Sequence, residues 1–437
     1  MKKYFLMLLI PFSFAYCQQI DHKTEAETIL AQMQKREFAK ITARFDSSIA
    51  TRIDTARLRQ TWDKLLQITG PFDNLIKISS EKQDSNDVVI QHLQFEKRKI
   101  DFKLVWGPNN KIKIITFLPG EPREKYKQPD YDKPELYKER KLPIQNGPYH
   151  LPGLLTTPNK NGKFPVVIFI HGSGPNDKDE TVGPMKIFKD FSIGLASQGI
   201  STYRYDKRTR VYSIRMQLNK NLTVVDETIE DAVAAVNMLK SDSTVDSTAI
   251  YLCGHSMGAF MLPRIAEAAR GVKGLIYLCV NARPLEDLIY AQSEYILSFD
   301  TSGNDNRPIL DSIRNESARI KTLKEPDTDS TYIFRFPRSY WIDMNKYDPI
   351  KTAQRLKMPM FFIHGERDYQ VYVSDFNTWK DAMKNHSNAQ FKLYPDLNHF
   401  FIKGTGKSTI AEYNKSSNVD IAVINDIAAW VSAAGKK

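Results

Sequence analysis

"LCGHSMGAF", residues 252–260, places a serine between two glycines in the pattern Gly-x-Ser-x-Gly: Gly254, His255, Ser256, Met257, Gly258. A pentapeptide of this kind arises by chance, so alone it decides nothing. It gains meaning if a strand runs into it, a helix runs out of it, and an acid and a histidine follow later in the chain. The stretch before it, "STAIYLC" (247–253), is a short apolar run of the kind that forms a buried strand. The stretch after it, "AFMLPRIAEAAR" (259–270), has apolar residues at helical spacing despite Pro263. Glycines at 254 and 258 permit a turn sharp enough to thrust the side chain of Ser256 out at the end of a sheet.

A serine hydroxyl is a poor nucleophile until a base takes its proton. Among the eight histidines, His399 is the candidate base, because "LYPDLNHF" (393–400) ends a strand-like run and enters a loop. His22, His92, His150 and His386 sit in polar or N-terminal contexts and are expected at the surface. His171, His255 and His364 are expected to be hydrogen-bonded structural residues. The base needs a carboxylate to fix its tautomer and stabilise the imidazolium. Asp368, which ends "FFIHGERD" (361–368), is assigned that part, with Glu366 and Asp396 as nearby alternatives. An oxyanion hole is assigned to the amides of Met257 and of Ser173 in "FIHGSGP" (169–175), with Gly172 or Gly174 in reserve. A glycine-rich loop can also cradle phosphate, but the Lys-Ser/Thr of that motif is missing.

From about residue 139 onward, apolar strand-like runs alternate with helical stretches. That texture predicts an α/β fold, a mostly parallel eight-stranded sheet flanked by helices. Residues 284–351 break the rhythm and are expected to form an inserted helical cap. Within it, "FRFPRSYW" (334–341) offers Tyr340 and Trp341 as substrate contacts. The competing reading is that these aromatics glue the cap to the core. Acidic residues in the cap (Glu286, Asp287, Glu294, Asp343) could hold a peptide amine, although a solvated face explains them equally well.

The first part of the chain differs. Residues 21–69 carry helical spacing, and "NDVVIQHLQFEKRKIDFKLVW" (86–106) alternates as antiparallel strands with one wet face do. Residues 20–118 therefore read as a small α+β domain, 119–138 as a linker, and 139–437 as the α/β domain. Residues 1–17 read as a cleaved export signal: Lys2 and Lys3 precede an apolar stretch too short to span a bilayer. Cleavage implies a periplasmic or extracellular protein with no stable membrane insertion, and lipid attachment through Cys17 is the minor alternative. The remaining cysteines, Cys253 and Cys279, lie in apolar runs and are expected as buried core residues. Charged residues make up 26% of the chain, and the net charge of +11 is spread without a nucleic-acid module.

"HGSGPNDKDE", "YRYDKR", "GHSMG", "HGERDYQV" and "LNHFF" stand in the order in which bacterial α/β-hydrolases carry their motifs. Residues from roughly 139 to 435 resemble an α/β-hydrolase of the serine esterase/peptidase superfamily. Residues 20–118 resemble a small domain of unknown function often fused ahead of such enzymes. The resemblance implies a triad of Ser256, Asp368 and His399 acting on a small-molecule ester or a peptide. "DKRTR" departs from the pattern, with Thr209 where relatives often have glycine, in a loop not expected to be catalytic. A non-catalytic binding protein is disfavoured, because all three triad positions hold competent residues. No cofactor and no metal are expected. No histidine pair has ligand spacing, and "DTSGNDN" (300–306) lacks the glycine and distal glutamate of a calcium loop. The sequence gives no oligomeric state.

Overall fold

A computed structural model describes residues 21–122, 124–300, 303, 305–325 and 331–435. The leader expected at residues 1–17, with Cys17, lies outside them. The chain divides into two compact units, Met1–Gly120 and Glu121–Lys437.

In the first unit, helix His22–Gln34 begins at Asp21, whose carboxylate accepts from the amide of Lys23 at 3.1 Å. Ala26, Ile29, Leu30 and Met33 form its buried stripe. Helix Thr55–Thr69 is capped in the same way by Asp54 and stops at Gly70, where φ is +74°. Two shorter helices, Phe38–Thr42 and Ser47–Ala50, lie between them. Strands β1 (Phe72–Gln83), β2 (Asn86–Phe95), β3 (Lys99–Trp106) and β4 (Ile112–Pro119) then form an antiparallel sheet in sequence order. Its inner face packs Phe95, Phe102 and Leu104 against Leu58 and Trp62 of the helices.

The second unit is built on eight strands: β5 (Tyr137–Lys141), β6 (Gly153–Pro158), β7 (Phe164–Ile170), β8 (Ser201–Tyr205), β9 (Val245–His255), β10 (Gly274–Leu278), β11 (Met360–Gly365) and β12 (Ala389–Tyr394). Their order across the sheet is β5-β6-β8-β7-β9-β10-β11-β12. The pairs β5–β6 and β6–β8 are antiparallel and the rest parallel. Side chains of β7 alternate between the two covered faces. Val166, Ile168 and Ile170 join a core with helices Glu230–Lys240 and Met257–Ala268. Val167 and Phe169 join another with helices Ile187–Ser197 and Ile421–Ala434.

Between β10 and β11 lie helices Leu285–Leu297, Arg307–Lys321 and Arg338–Asn345, with a small hairpin, Tyr332–Ile333 against Phe336–Pro337. The entry to this insertion is held by Asp375. Its carboxylate accepts the amides of Ala282 and Arg283, both at 3.0 Å, and pairs with the Arg283 guanidinium. The segment 124–136, ahead of β5, is tied down within the same unit. Tyr126 Oη donates to Asp190 at 2.6 Å and Tyr131 Oη to the carbonyl of Val419 at 3.0 Å. No helix among the described residues is long and apolar enough to cross a membrane.

Candidate active site

The strand order fixes where chemistry can sit. After β7 the chain steps to one side to make β8, then returns to the other side of β7 to make β9. The carboxyl ends of β7 and β9 therefore flank a switch point, the usual crevice for ligands in open α/β sheets. Gly172 follows β7 there, and Ser256 follows β9.

Ser256 joins β9 to helix Met257–Ala268 with φ +53° and ψ −117°, a backbone state that costs a non-glycine residue energy. Neighbours over-determine it. Its amide donates to the carbonyl of Leu278 at 2.9 Å. A Cβ on Gly258 would lie 2.1 Å from the carbonyl oxygen of Ile170, and one on Gly254 would lie 2.5 Å from the carbonyl carbon of Gly258. Both glycines are therefore required by close backbone approach.

His399 Nδ1 and Asp368 Oδ2 are 2.6 Å apart and buried. Asp368 Oδ1 accepts the amides of Gln370 and Val371 at 2.8 and 2.9 Å. Burial alone would raise the Asp368 carboxyl, but the imidazole and these donors outweigh it and hold it below its ordinary value. Burial lowers His399, and the facing Asp368 only partly offsets that, so the ring tends towards its neutral form. His399 Nε2 and Ser256 Oγ make no hydrogen bond to a described residue. Glu366 and Asp396, the alternative acids, are both exposed. The Cys279 thiol, the Asp368 carboxylate and a His399 nitrogen lie within 4.8 Å of one another, which is ligand-like spacing. Burial keeps that thiol well protonated, however, and the other two groups are engaged with each other.

The loop after β7 is clamped on both sides of Gly172. Its amide donates to Glu180 Oε1 at 2.7 Å, and its carbonyl accepts from Lys207 Nζ at 3.0 Å and Asn176 Nδ2 at 3.2 Å. The Gly172 amide is thus spent. Among the described residues no carbonyl or side chain accepts from the amide of the exposed Ser173, so that donor is free to meet a ligand. Glu180 Oε2 is in ion-pair contact with His255 Nδ1 at 3.2 Å, short of hydrogen-bond alignment. His255 Nε2 lies 3.0 Å from the carbonyl oxygen of His399. Burial opposes both charges, yet Glu180 is held low and His255 high by each other. His171 and His364 bond to the carbonyls of Asp177 and Val371.

Several expectations need correction. Tyr340 and Trp341 have no accessible surface, so neither walls an open pocket. Trp341 Nε1 donates to the carbonyl of Ile333 at 2.9 Å, and Tyr340 Oη donates to Glu227 at 2.8 Å. In the cap, Asp343 is paired with Arg264 and Asp287 with Lys321, so neither waits for an amine. Three histidines expected at the surface are partly buried and bonded: His22 stacks on Trp106, His92 bonds to Asp101, and His386 bonds to the carbonyl of Leu356. A half-open apolar pocket of about 210 Å³ lies between Tyr295, Ile296 and Phe299 of the cap and Tyr369, Thr409, Ile410 and Ala411. It is lined by none of the three triad candidates. Sequence reasoning missed Lys207, Glu227 and Glu180, whose only signal was their place inside "YRYDKR", "VDETI" and "HGSGPNDKDE".

Comparison with known proteins gives the family. A family described as "Serine aminopeptidase, S33" matches residues 166–403, over half the chain, and a protein of unknown function, DUF3887, matches residues 26–117. Esterase EstD of Thermotoga maritima is 33% identical over 407 residues, covering 93% of this chain and 94% of its own. Among solved structures, Est1E from Butyrivibrio proteoclasticus is 16% identical, covers 68% of this chain and 99% of its own, and has a TM-score of 0.44. The Pyrococcus furiosus esterase PF2001 is 16% identical, covers 72% and 95%, and has a TM-score of 0.42. The chain belongs to the α/β-hydrolase family described as serine aminopeptidase, S33, and is a hydrolase of the serine type.

Proposed function

We propose that the protein is an exported esterase that cleaves small carboxylic esters through an acyl-Ser256 intermediate. His399 Nε2 takes the Ser256 proton as Oγ bonds to the ester carbonyl carbon. The carbonyl oxygen becomes an oxyanion facing the amides of Met257 and Ser173. Collapse breaks the bond to the alcohol oxygen, and the imidazolium of His399 returns the proton to it. Water then repeats the sequence on the acyl-enzyme and regenerates Ser256. Asp368 holds the imidazole tautomer throughout.

The observation that carries this reading is the buried 2.6 Å contact between Asp368 and His399, set beside a serine in a strained turn at the switch point. A relative named an esterase, alike over nearly the whole chain, supports the ester over the peptide bond. So does the engagement of Asp343 and Asp287 in ion pairs, which takes up two of the four cap carboxylates that could hold a peptide amine. Export rests on the leader-like residues 1–17. A side-by-side panel of p-nitrophenyl esters and aminoacyl-anilides tests the substrate class. Ester turnover without anilide turnover is expected, and anilide turnover at comparable kcat/KM would overturn the choice of ester.

A further inference from the structure

Lys207 sits at the end of β8 in the loop "DKRTR", and its side chain is only 2% exposed. A buried ammonium is costly unless it is paired, and this one is doubly engaged. It donates to Glu227 Oε1 at 2.7 Å and to the carbonyl oxygen of Gly172 at 3.0 Å. Glu227 is also buried, within the π-helical turn Val225–Ile229. Such turns are rare overall and frequent at functional sites. The other oxygen of Glu227 accepts from Tyr340 Oη at 2.8 Å, and Tyr340 Oη lies 3.4 Å from Met257 Sδ. One chain of contacts thus runs from the cap, through Glu227 and Lys207, to the loop after β7.

The carbonyl of Gly172 and the N–H of Ser173 belong to a single peptide unit. That unit is planar and trans, so fixing the direction of its C=O fixes the direction of its N–H. A cation on the carbonyl oxygen also withdraws electron density through the amide resonance and strengthens the N–H as a donor. We infer that Lys207 is a positioning residue for the oxyanion hole, aiming and polarising the Gly172–Ser173 peptide, and that Glu227 and Tyr340 tie this peptide to the cap. The inference rests on the acyl-Ser256 reading, which supplies the oxyanion. In it, Tyr340 acts on the reaction from within the core, without touching the substrate.

The test uses the full chain, with p-nitrophenyl butyrate as substrate and a fluorophosphonate to count competent Ser256. Lys207→Met alone would strand the Glu227 carboxylate, so the charge pair is removed together as Lys207→Met/Glu227→Gln. Losing a whole oxyanion donor costs about 10²–10³ in kcat. A donor left in place but loosely aimed should cost less, about 10- to 100-fold, with KM within about threefold. Tyr340→Phe keeps the ring packing and loses only the hydroxyl, and its kcat should fall by a smaller factor in the same way. In both variants labelling should slow but still reach one adduct per chain, which separates a slower site from a smaller folded fraction. An unchanged kcat per labelled chain, or a rise in KM in place of a fall in kcat, would overturn the inference. If the double variant does not fold, Tyr340→Phe decides alone. Failure to label Ser256 in the unaltered protein would refute the acyl-Ser256 reading instead.

Discussion

The two sheets of this molecule treat polar side chains in opposite ways. The four-stranded sheet of the first unit keeps one wet face: β1 buries no residue fully, and among the described residues the buried polar side chains of that unit are Thr69, Asn86 and Gln91, all uncharged. Gln91 does structural work there, donating to the carbonyl of Ala26 at 2.8 Å and so pinning a helix to the sheet. The eight-stranded sheet is dry on both faces at β7, β8, β10 and β11, yet Glu180, Lys207, Glu227, His255, Asp368 and His399 are buried beside it. Charge taken out of water is costly even when paired, and a hydrophobic isostere often serves stability better. A unit that buries this many charges around one edge of one sheet is organised for chemistry there. Among its described residues the first unit carries no comparable concentration.

The comparison breaks most visibly if Asp368→Asn is harmless. That change removes the charge facing His399 and permits the wrong imidazole tautomer, so kcat should fall on the order of 10⁴. The pH profile gives a second readout. The proposed mechanism needs neutral His399, whose proton affinity lies below its ordinary value of 6.5, chiefly through burial. Activity of the unaltered enzyme should therefore be lost on the acid side with a midpoint below 6.5, as rising acidity protonates the imidazole. In Asp368→Asn the raising influence of the carboxylate is gone, so the midpoint should move still lower. A midpoint moving upward would contradict the assignment.

A smaller effect sharpens the contrast from the other side. A chain beginning at Glu121 keeps Tyr126 and Tyr131, with their contacts to Asp190 and Val419, and lacks the first unit. Its kcat/KM on p-nitrophenyl butyrate should lie within about threefold of the full chain, or ~0.7 kcal/mol of barrier. A folded, soluble truncation that has lost most of its activity would show that the first unit helps to build the site.

Much of this was legible in the chain itself, for stated physical reasons. Runs such as "FPVVIFI" and "GLIYL" are apolar because their strands are covered on both faces, and that alone reveals the sheet. Gly254 and Gly258 reveal the turn because no Cβ fits there. The contact between Asp368 and His399 could be anticipated because both follow strands at the same sheet edge. What stayed hidden were the partners of buried charge. Lys207 in "DKRTR" and Glu227 in "VDETI" look in sequence like any solvated residue, since their pairing at 2.7 Å joins segments twenty positions apart. Tyr340 and Trp341 misled for the converse reason. An aromatic cluster in an insertion looks like a pocket wall until its packing shows the rings stacked on one another, Phe336 and Tyr340 at 4.2 Å between centroids.

The most direct test of the central claim is to trap the nucleophile. The purified protein is treated with a fluorophosphonate and digested, and the adduct is located by mass spectrometry, with Ser256→Ala in parallel. One adduct per chain is expected, on the peptide containing Ser256, together with a fall in kcat on the order of 10⁶ for Ser256→Ala at an unchanged circular dichroism spectrum. An adduct on another serine, or ester turnover in folded Ser256→Ala above a few per cent of the unaltered enzyme, would contradict the account.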